Sequence, residues 1–149
     1  MDLKSKIILI SGPTASGKSK AALKIAKKLN GEIINADSMQ VYKELNILTA
    51  RPSKTDLNKI NHHLYGFRSV KKEFSTGEWL KLAKKNIKKI RDKNKIPVLV
   101  GGTGLYFKAL VDGLVRIPKF KLSEKNKILK LHNKLGQKQF FYNPIESQF

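Results

Sequence analysis

Through the first 117 positions, short unbroken apolar runs alternate with longer stretches in which apolar residues recur every three or four positions. Lys6–Ile10 and Ile96–Val100 are runs of the first kind, short enough to be buried strands of a parallel sheet, and Glu32–Asn35 reads as another strand. Pro97 is tolerable so near a strand start. From Lys18 to Leu29, apolar Ala21, Ala22, Ile25, Ala26 and Leu29 sit at helical spacing among lysines, and Asn30-Gly31 supplies a stop. Ser75-x-x-Glu78 has the form of a capping box, and Trp79, Leu82, Ala83, Ile87 and Ile90 form the apolar stripe of the helix it opens. A further helix is expected from about Thr103 to Val111, after the turn Gly101-Gly102. Leu64–Phe67 is a candidate short strand, while residues 41–63, interrupted by Pro52-Ser53, declare no element. The strand–helix–strand–helix order predicts an α/β fold, a parallel sheet with helices on both faces. The lysine-rich, partly helical stretch from Pro118 reads as a separate unit, giving domains 1–117 and 118–149.

Composition sets the class. A chain of 149 residues has the size of one domain and can bury about 70% of its unfolded surface. With 40% hydrophobic and 28% charged residues it reads as globular, and with no cysteine it excludes disulfides and Cys-based zinc sites. Ile7–Ile10 is too short to span a bilayer, and no signal-peptide pattern surrounds it, so a cytoplasmic protein is expected.

Charge is lopsided. Thirty-one Lys and Arg against eleven Asp and Glu give a net charge of +20, which would attract and steer a polyanion. Only Arg51, Arg68, Arg91 and Arg116 are arginines. A lysine, asparagine and isoleucine excess also arises from an AT-rich coding sequence, so the charge permits a nucleic-acid partner without requiring one.

Gly12, Pro13, Thr14, Ala15, Ser16, Gly17, Lys18 and Ser19 fit G-x-x-x-x-G-K-[ST], with a strand before and a helix after. Gly12 and Gly17 let the backbone curl so that N–H groups converge on an anion, and the helix adds its positive end. Lys18 supplies a mobile charge for outer phosphate oxygens, and Ser19 a hydroxyl for Mg²⁺. From the loop alone the first reading is ATP, held by a nucleotide kinase or ATPase. Asn35-Ala36-Asp37-Ser38-Met39-Gln40 then places an acid at the carboxyl end of a strand, where open α/β sheets bind ligands. Metal ligand, general base and helix cap all remain open for Asp37. Gly101-Gly102-Thr103-Gly104 falls on the same sheet edge, as a structural turn or as a place where Thr103 meets a ligand.

GPTASGKS (12–19), NADSMQVY (35–42), TARP (49–52), His63-Leu64 and GGTGLYFKALVDGL (101–114) resemble, in order and spacing, the tRNA dimethylallyltransferase, or tRNA isopentenyltransferase, family. The resemblance covers residues 6–117 and implies a P-loop NTPase-like fold. It also implies that the loop holds the pyrophosphate of dimethylallyl diphosphate rather than ATP. The exocyclic amine of the adenosine beside the tRNA anticodon then attacks the allylic carbon. By the same resemblance, Asp37 is the general base and Asp37, Ser38, Met39, Gln40 and Thr103 meet the flipped-out adenine of the anticodon stem-loop. Thr14 lies near the diphosphate, Thr103 near the reacting amine, Lys18 acts in catalysis, and Ser19 helps hold Mg²⁺. A monomer is implied.

Two departures stand out. Leu48 occupies a place where members commonly carry glycine, and Arg51 one where lysine is common. Members are also about twice as long. Leu122–Phe140 is similar to the start of their helical tRNA-binding insertion, whereas Tyr142–Phe149 does not resemble the continuation of that insertion. A truncated or frame-shifted product is therefore expected. The alternatives to a prenyltransferase are a nucleotide kinase, ATPase or adenylate prenyltransferase, and an inactive fragment of the family.

Overall fold

A computed structural model describes residues 6–45, 51–52, 54–115 and 121–142. Four strands form one sheet: β1 (Ile8–Ser11), β2 (Gly31–Asn35), β3 (His62–His63) and β4 (Ile96–Gly101). The order is β1-β4-β2-β3 and every pairing is parallel. β4 therefore lies between β1 and β2, with Ser11 opposite Gly101 and Asn35 opposite Val100. This register brings the chain segments after β1, β2 and β4 to one edge.

The period-two alternation of the strands sorts their side chains between two cores. Ile33, Val98 and Val100 pack against Ala22 and Ala26 of α1 (Lys18–Lys28). Ile34 and Leu99 face the opposite way, onto Trp79, Ala83, Ile87 and Ile90 of α3 (Thr76–Asp92) and Tyr106 of α4 (Gly104–Val111). Between α1 and α3 in sequence lies the short α2 (Lys54–Lys59). Helices on both faces of a parallel sheet are the architecture the alternating pattern predicts.

The Ser75 capping box forms. Ser75 Oγ accepts from the Glu78 N–H at 3.2 Å, and Glu78 Oε2 accepts from the Ser75 N–H at 3.0 Å. Details elsewhere differ from the sequence reading. Ala21 is exposed and Leu23 takes its place against the core. Leu64–Phe67 is not a strand: Leu64 (φ 63°) and Gly66 (φ 53°) turn the chain, and the edge strand lies two residues earlier. The unassigned stretch holds a 3₁₀ turn at Lys43–Leu45 as well as α2 and β3.

At the far edge of the sheet sits a buried ion cluster. Glu32, fully buried, accepts from Lys95 Nζ (2.9 Å), His63 Nε2 (2.7 Å), Asn61 Nδ2 (3.1 Å) and Lys93 Nζ (3.3 Å). Burial would raise its pKa, but these four donors together pull the carboxyl down to about 2. The cluster joins the starts of β2 and β4 to β3.

The chain divides into two compact units, Met1–Leu114 and Val115–Phe149. In the second, α5 (Leu122–Tyr142) is broken at Gly136, whose φ of 71° and ψ of 165° are not helical. The boundary suggested at 117/118, Leu48 and residues 143–149 lie outside the described residues. No helix among the described residues is long and apolar enough to cross a membrane.

Candidate active site

Three loops meet at the carboxyl edge of the sheet. The glycine-rich loop leaves β1 and enters α1 at Gly17, which adopts φ 79°. Its second left-handed residue is Ala15, at φ 64°, not Gly12. An alanine there is held against a cost of about 1 kcal/mol or more, the sort of strain a ligand-binding loop retains. Gly12 matters for space instead: a Cβ there would stand 3.0 Å from Ser16 Oγ. Lys18 Nζ donates to the Pro13 carbonyl at 2.8 Å, so the ammonium lies folded over its own loop.

The turn after β2 is built by Asn35. This buried side chain accepts from the Asp37 N–H (3.0 Å) and donates to the carbonyls of Asp37 (2.9 Å) and Leu64 (3.0 Å). Its own carbonyl accepts the Trp79 indole N–H at 2.9 Å. Asp37 Oδ1 then accepts from the N–H groups of Met39 (2.9 Å) and Gln40 (3.4 Å). Asp37 caps no helix, since the next element is the 3₁₀ turn at Lys43–Leu45; its Oδ1 instead holds a local turn. Oδ2 faces the Gly102 backbone, 3.8 Å from where a Cβ would be.

Gly101 decides how closely these loops approach. A Cβ at Gly101 would collide with the Ala36 carbonyl group and stand 2.7 Å from the Asp37 nitrogen. A Cβ at Gly102 would lie 3.4 Å from the Gly12 carbonyl, so Gly102 occupies the gap between the phosphate-loop motif and Asp37. Thr103 Oγ1 accepts from the Ser38 N–H at 2.9 Å and donates to Ser38 Oγ at 3.2 Å. The hydroxyl therefore locks the second turn to the third.

A cleft of about 570 Å³ results, lined by Thr14, Ala15, Gly17, Lys18, Ser19, Asp37, Met39 and Gln40 together with Lys20 and Leu45. Gly12, Pro13, Ser16, Ser38 and Thr103 shape it from behind or beside and are not among its lining residues. Two tyrosines feel the charge of the acid. Burial, then the charge of Asp37, raises the Tyr65 pKa, while burial, Tyr42 and Asp37 push Tyr106 up to about 12. Both stay protonated across the physiological range. Tyr106 stacks on Trp79 with ring centroids 4.3 Å apart. The motif spacing did not single out Asn35, Gly101, Tyr65 or Trp79 for the site. An asparagine ending an apolar strand and a glycine at the same level of the neighbouring strand were the available signals.

The family model described as IPP transferase matches residues 40–145. The chain belongs to the IPP transferase family. It is 62% identical over 141 residues to the tRNA dimethylallyltransferase of Pelagibacter ubique, covering 95% of this chain and 45% of that protein. To the tRNA dimethylallyltransferase of Rickettsia massiliae it is 50% identical over 130 residues, 87% of this chain and 36% of the other. Among solved structures, the full-length tRNA isopentenylpyrophosphate transferase of Bacillus halodurans superposes with a TM-score of 0.73 at 35% identity, over 87% of this chain and 43% of that one. A eukaryotic dimethylallyltransferase acting on tRNA gives 0.76 at 30% identity, over 87% and 34%. This IPP transferase chain thus spans less than half the length of the curated relatives it matches, and its sheet shares their P-loop NTPase-like fold.

Proposed function

We propose that this chain carries the diphosphate-binding and proton-accepting site of a tRNA dimethylallyltransferase. The observation that supports it most is the shared cleft, in which the glycine-rich loop and the Asp37 turn line one space. In the reaction, the exocyclic amine of the adenosine beside the anticodon forms a bond to the allylic carbon of dimethylallyl diphosphate. The carbon–oxygen bond breaks, pyrophosphate leaves, and the proton of the amine passes to Asp37.

Each residue has a task in that sequence. Lys18 exchanges the Pro13 carbonyl for a diphosphate oxygen, and the loop N–H groups from Thr14 to Ser19 meet the charge that builds on the leaving group. Asp37 takes the proton on Oδ2 while Oδ1 keeps its turn, which is worth roughly 10²–10⁴-fold. Met39, half exposed at 53%, and Gln40 offer an apolar and an amide contact to an adenine taken from its stack. Ser38 and Thr103 hold that segment in register.

Mg²⁺ would fit this donor set through the diphosphate rather than through a cage of protein side chains. No group of three His, Cys, Asp or Glu side chains that could hold a metal occurs among the described residues. The ion would be carried chiefly by diphosphate oxygens and water, with the Ser19 hydroxyl as the protein ligand, and would neutralise charge on the leaving group. The exposed lysines of α1 and α3 suit the phosphates of an anticodon stem-loop. A cytoplasmic monomer remains our reading of its setting.

The test uses a chimera in which this chain replaces the matching part of the Pelagibacter ubique relative. With dimethylallyl diphosphate and unmodified anticodon stem-loop RNA, mass spectrometry should detect prenylated adenosine and released pyrophosphate. ATP hydrolysis without prenyl transfer would instead establish the nucleotide-hydrolase reading.

A further inference from the structure

Beside the first turn of α1 lies a second cleft, of about 410 Å³, whose walls include Ser19, Lys20, Leu23, Arg51, His62 and Tyr65. Ser19 and Lys20 also line the cleft at the phosphate-loop motif, so the two spaces share a wall at the start of α1.

Arg51 is the unexplained group there. Its Nε and Nη2 are both buried and have no hydrogen-bond partner. A guanidinium cannot shed its charge to escape this state, and buried donors left without a partner are costly, the more so when charged. Glu44 does not answer the need. Its carboxylate accepts from Ser69 Oγ (2.8 Å) and the Val70 N–H (3.2 Å). The seat of the guanidinium is nevertheless specific. A Cβ at Gly66 would collide with Arg51 Nη1, and the Gly66 N–H donates to the Gln40 carbonyl at 2.9 Å. The turn that makes room for Arg51 is therefore bonded to the turn that carries Asp37.

We propose that Arg51 is a substrate-binding residue that closes on the second phosphate of the diphosphate whose first phosphate lies in the loop. Nε and Nη2 form one edge of the guanidinium, the pair of donors that meets two phosphate oxygens side by side. Lysine offers a charge in this place but not that fork. The site then prefers diphosphates to monophosphates, since only a diphosphate reaches both cations. This rests on the diphosphate reading of the loop.

The test is calorimetric titration of the 149-residue chain with inorganic pyrophosphate and, separately, inorganic phosphate. Arg51→Gln should weaken pyrophosphate binding by about 10–100-fold, the loss of one charge-assisted bidentate contact. Phosphate binding should change less than about threefold, and Arg51→Lys should recover only part of the loss. On the unmodified chain, pyrophosphate should slow phenylglyoxal labelling of Arg51 relative to Arg91 on α3, read by mass spectrometry, which serves even if Arg51→Gln does not fold. Pyrophosphate affinity within twofold of wild type in Arg51→Gln, or labelling of Arg51 indifferent to pyrophosphate, overturns the proposal. So does a loss confined to binding of anticodon stem-loop RNA. A wild-type chain that does not bind pyrophosphate removes the loop reading itself, a result distinct from failure of the variant alone.

Discussion

Asn35 grips Asp37 from both sides, accepting its N–H at 3.0 Å and donating to its carbonyl at 2.9 Å. The backbone of the proposed base is thus fixed by a neighbour two residues away, buried at the end of β2. Asn35→Ala removes the grip and leaves the Leu64 carbonyl without its donor. Melting should show a loss of about 1–3 kcal/mol. Prenyl transfer by the chimera should fall further than that loss explains, because the carboxylate is no longer aimed. Asn35→Asp keeps the acceptor but sets a carboxylate oxygen against the Asp37 and Leu64 carbonyls, so it should cost at least as much as Asn35→Ala.

Gly101 predicts a contrast within one motif. Gly101→Ala drives a methyl group into the Ala36 carbonyl, and backbone cannot yield as a side-chain tip does. A destabilisation of about 1–3 kcal/mol or more is expected, with displacement of the Asp37 turn. Gly104→Ala meets nothing within 4 Å and sits in the first turn of α4, so it should be neutral or stabilising by a few tenths up to about 1 kcal/mol. Paired thermal melts of the two variants check this directly.

These cases show what was legible in the chain. β1, β2, β4, α1, α3 and the architecture follow from apolar spacing, and the Ser75–Glu78 cap from a four-residue pattern; β3 does not. Leu64–Phe67 misled because its apolar letters carry no sign of the backbone: Leu64 at φ 63° bends a stretch whose composition suits a strand. Ala15 likewise takes a left-handed position that residue type alone would assign to Gly12. The loop and the Asp37 turn could be placed on one sheet edge from strand order. That Gly101 must lack a side chain could not, since the reason lies across the sheet in the main chain of Ala36.

Glu32 makes stability depend on acid. Its folded pKa, about 2, is below the ordinary 4.5, so its contribution is complete above about pH 4.5 and disappears as pH falls towards 2. A depression of this size corresponds to roughly 3 kcal/mol, an upper figure given that Lys93 is half exposed. Thermal melts should show the melting temperature falling between pH 5 and about pH 2.5. Glu32→Gln should be less stable at pH 7 and should lose part of that acid dependence. Equal slopes in the two proteins would remove Glu32 from the explanation.

Trp79→Phe removes one hydrogen bond together with part of a buried packing contact. The ring keeps its place against Tyr106, but the Asn35 carbonyl loses the indole donor. Melting should register about 1–3 kcal/mol, with pyrophosphate affinity unchanged because the loop is built on the other side of β4.

On our proposal the loop holds a diphosphate while Asp37 accepts the proton, two separate tasks in one cleft. The direct measurement is a pair of assays on Asp37→Asn: pyrophosphate titration of the 149-residue chain and prenyl transfer by the chimera. Pyrophosphate affinity should stay within about threefold of wild type while transfer falls by roughly 10²–10⁴-fold. Transfer at the wild-type rate would contradict the proposal.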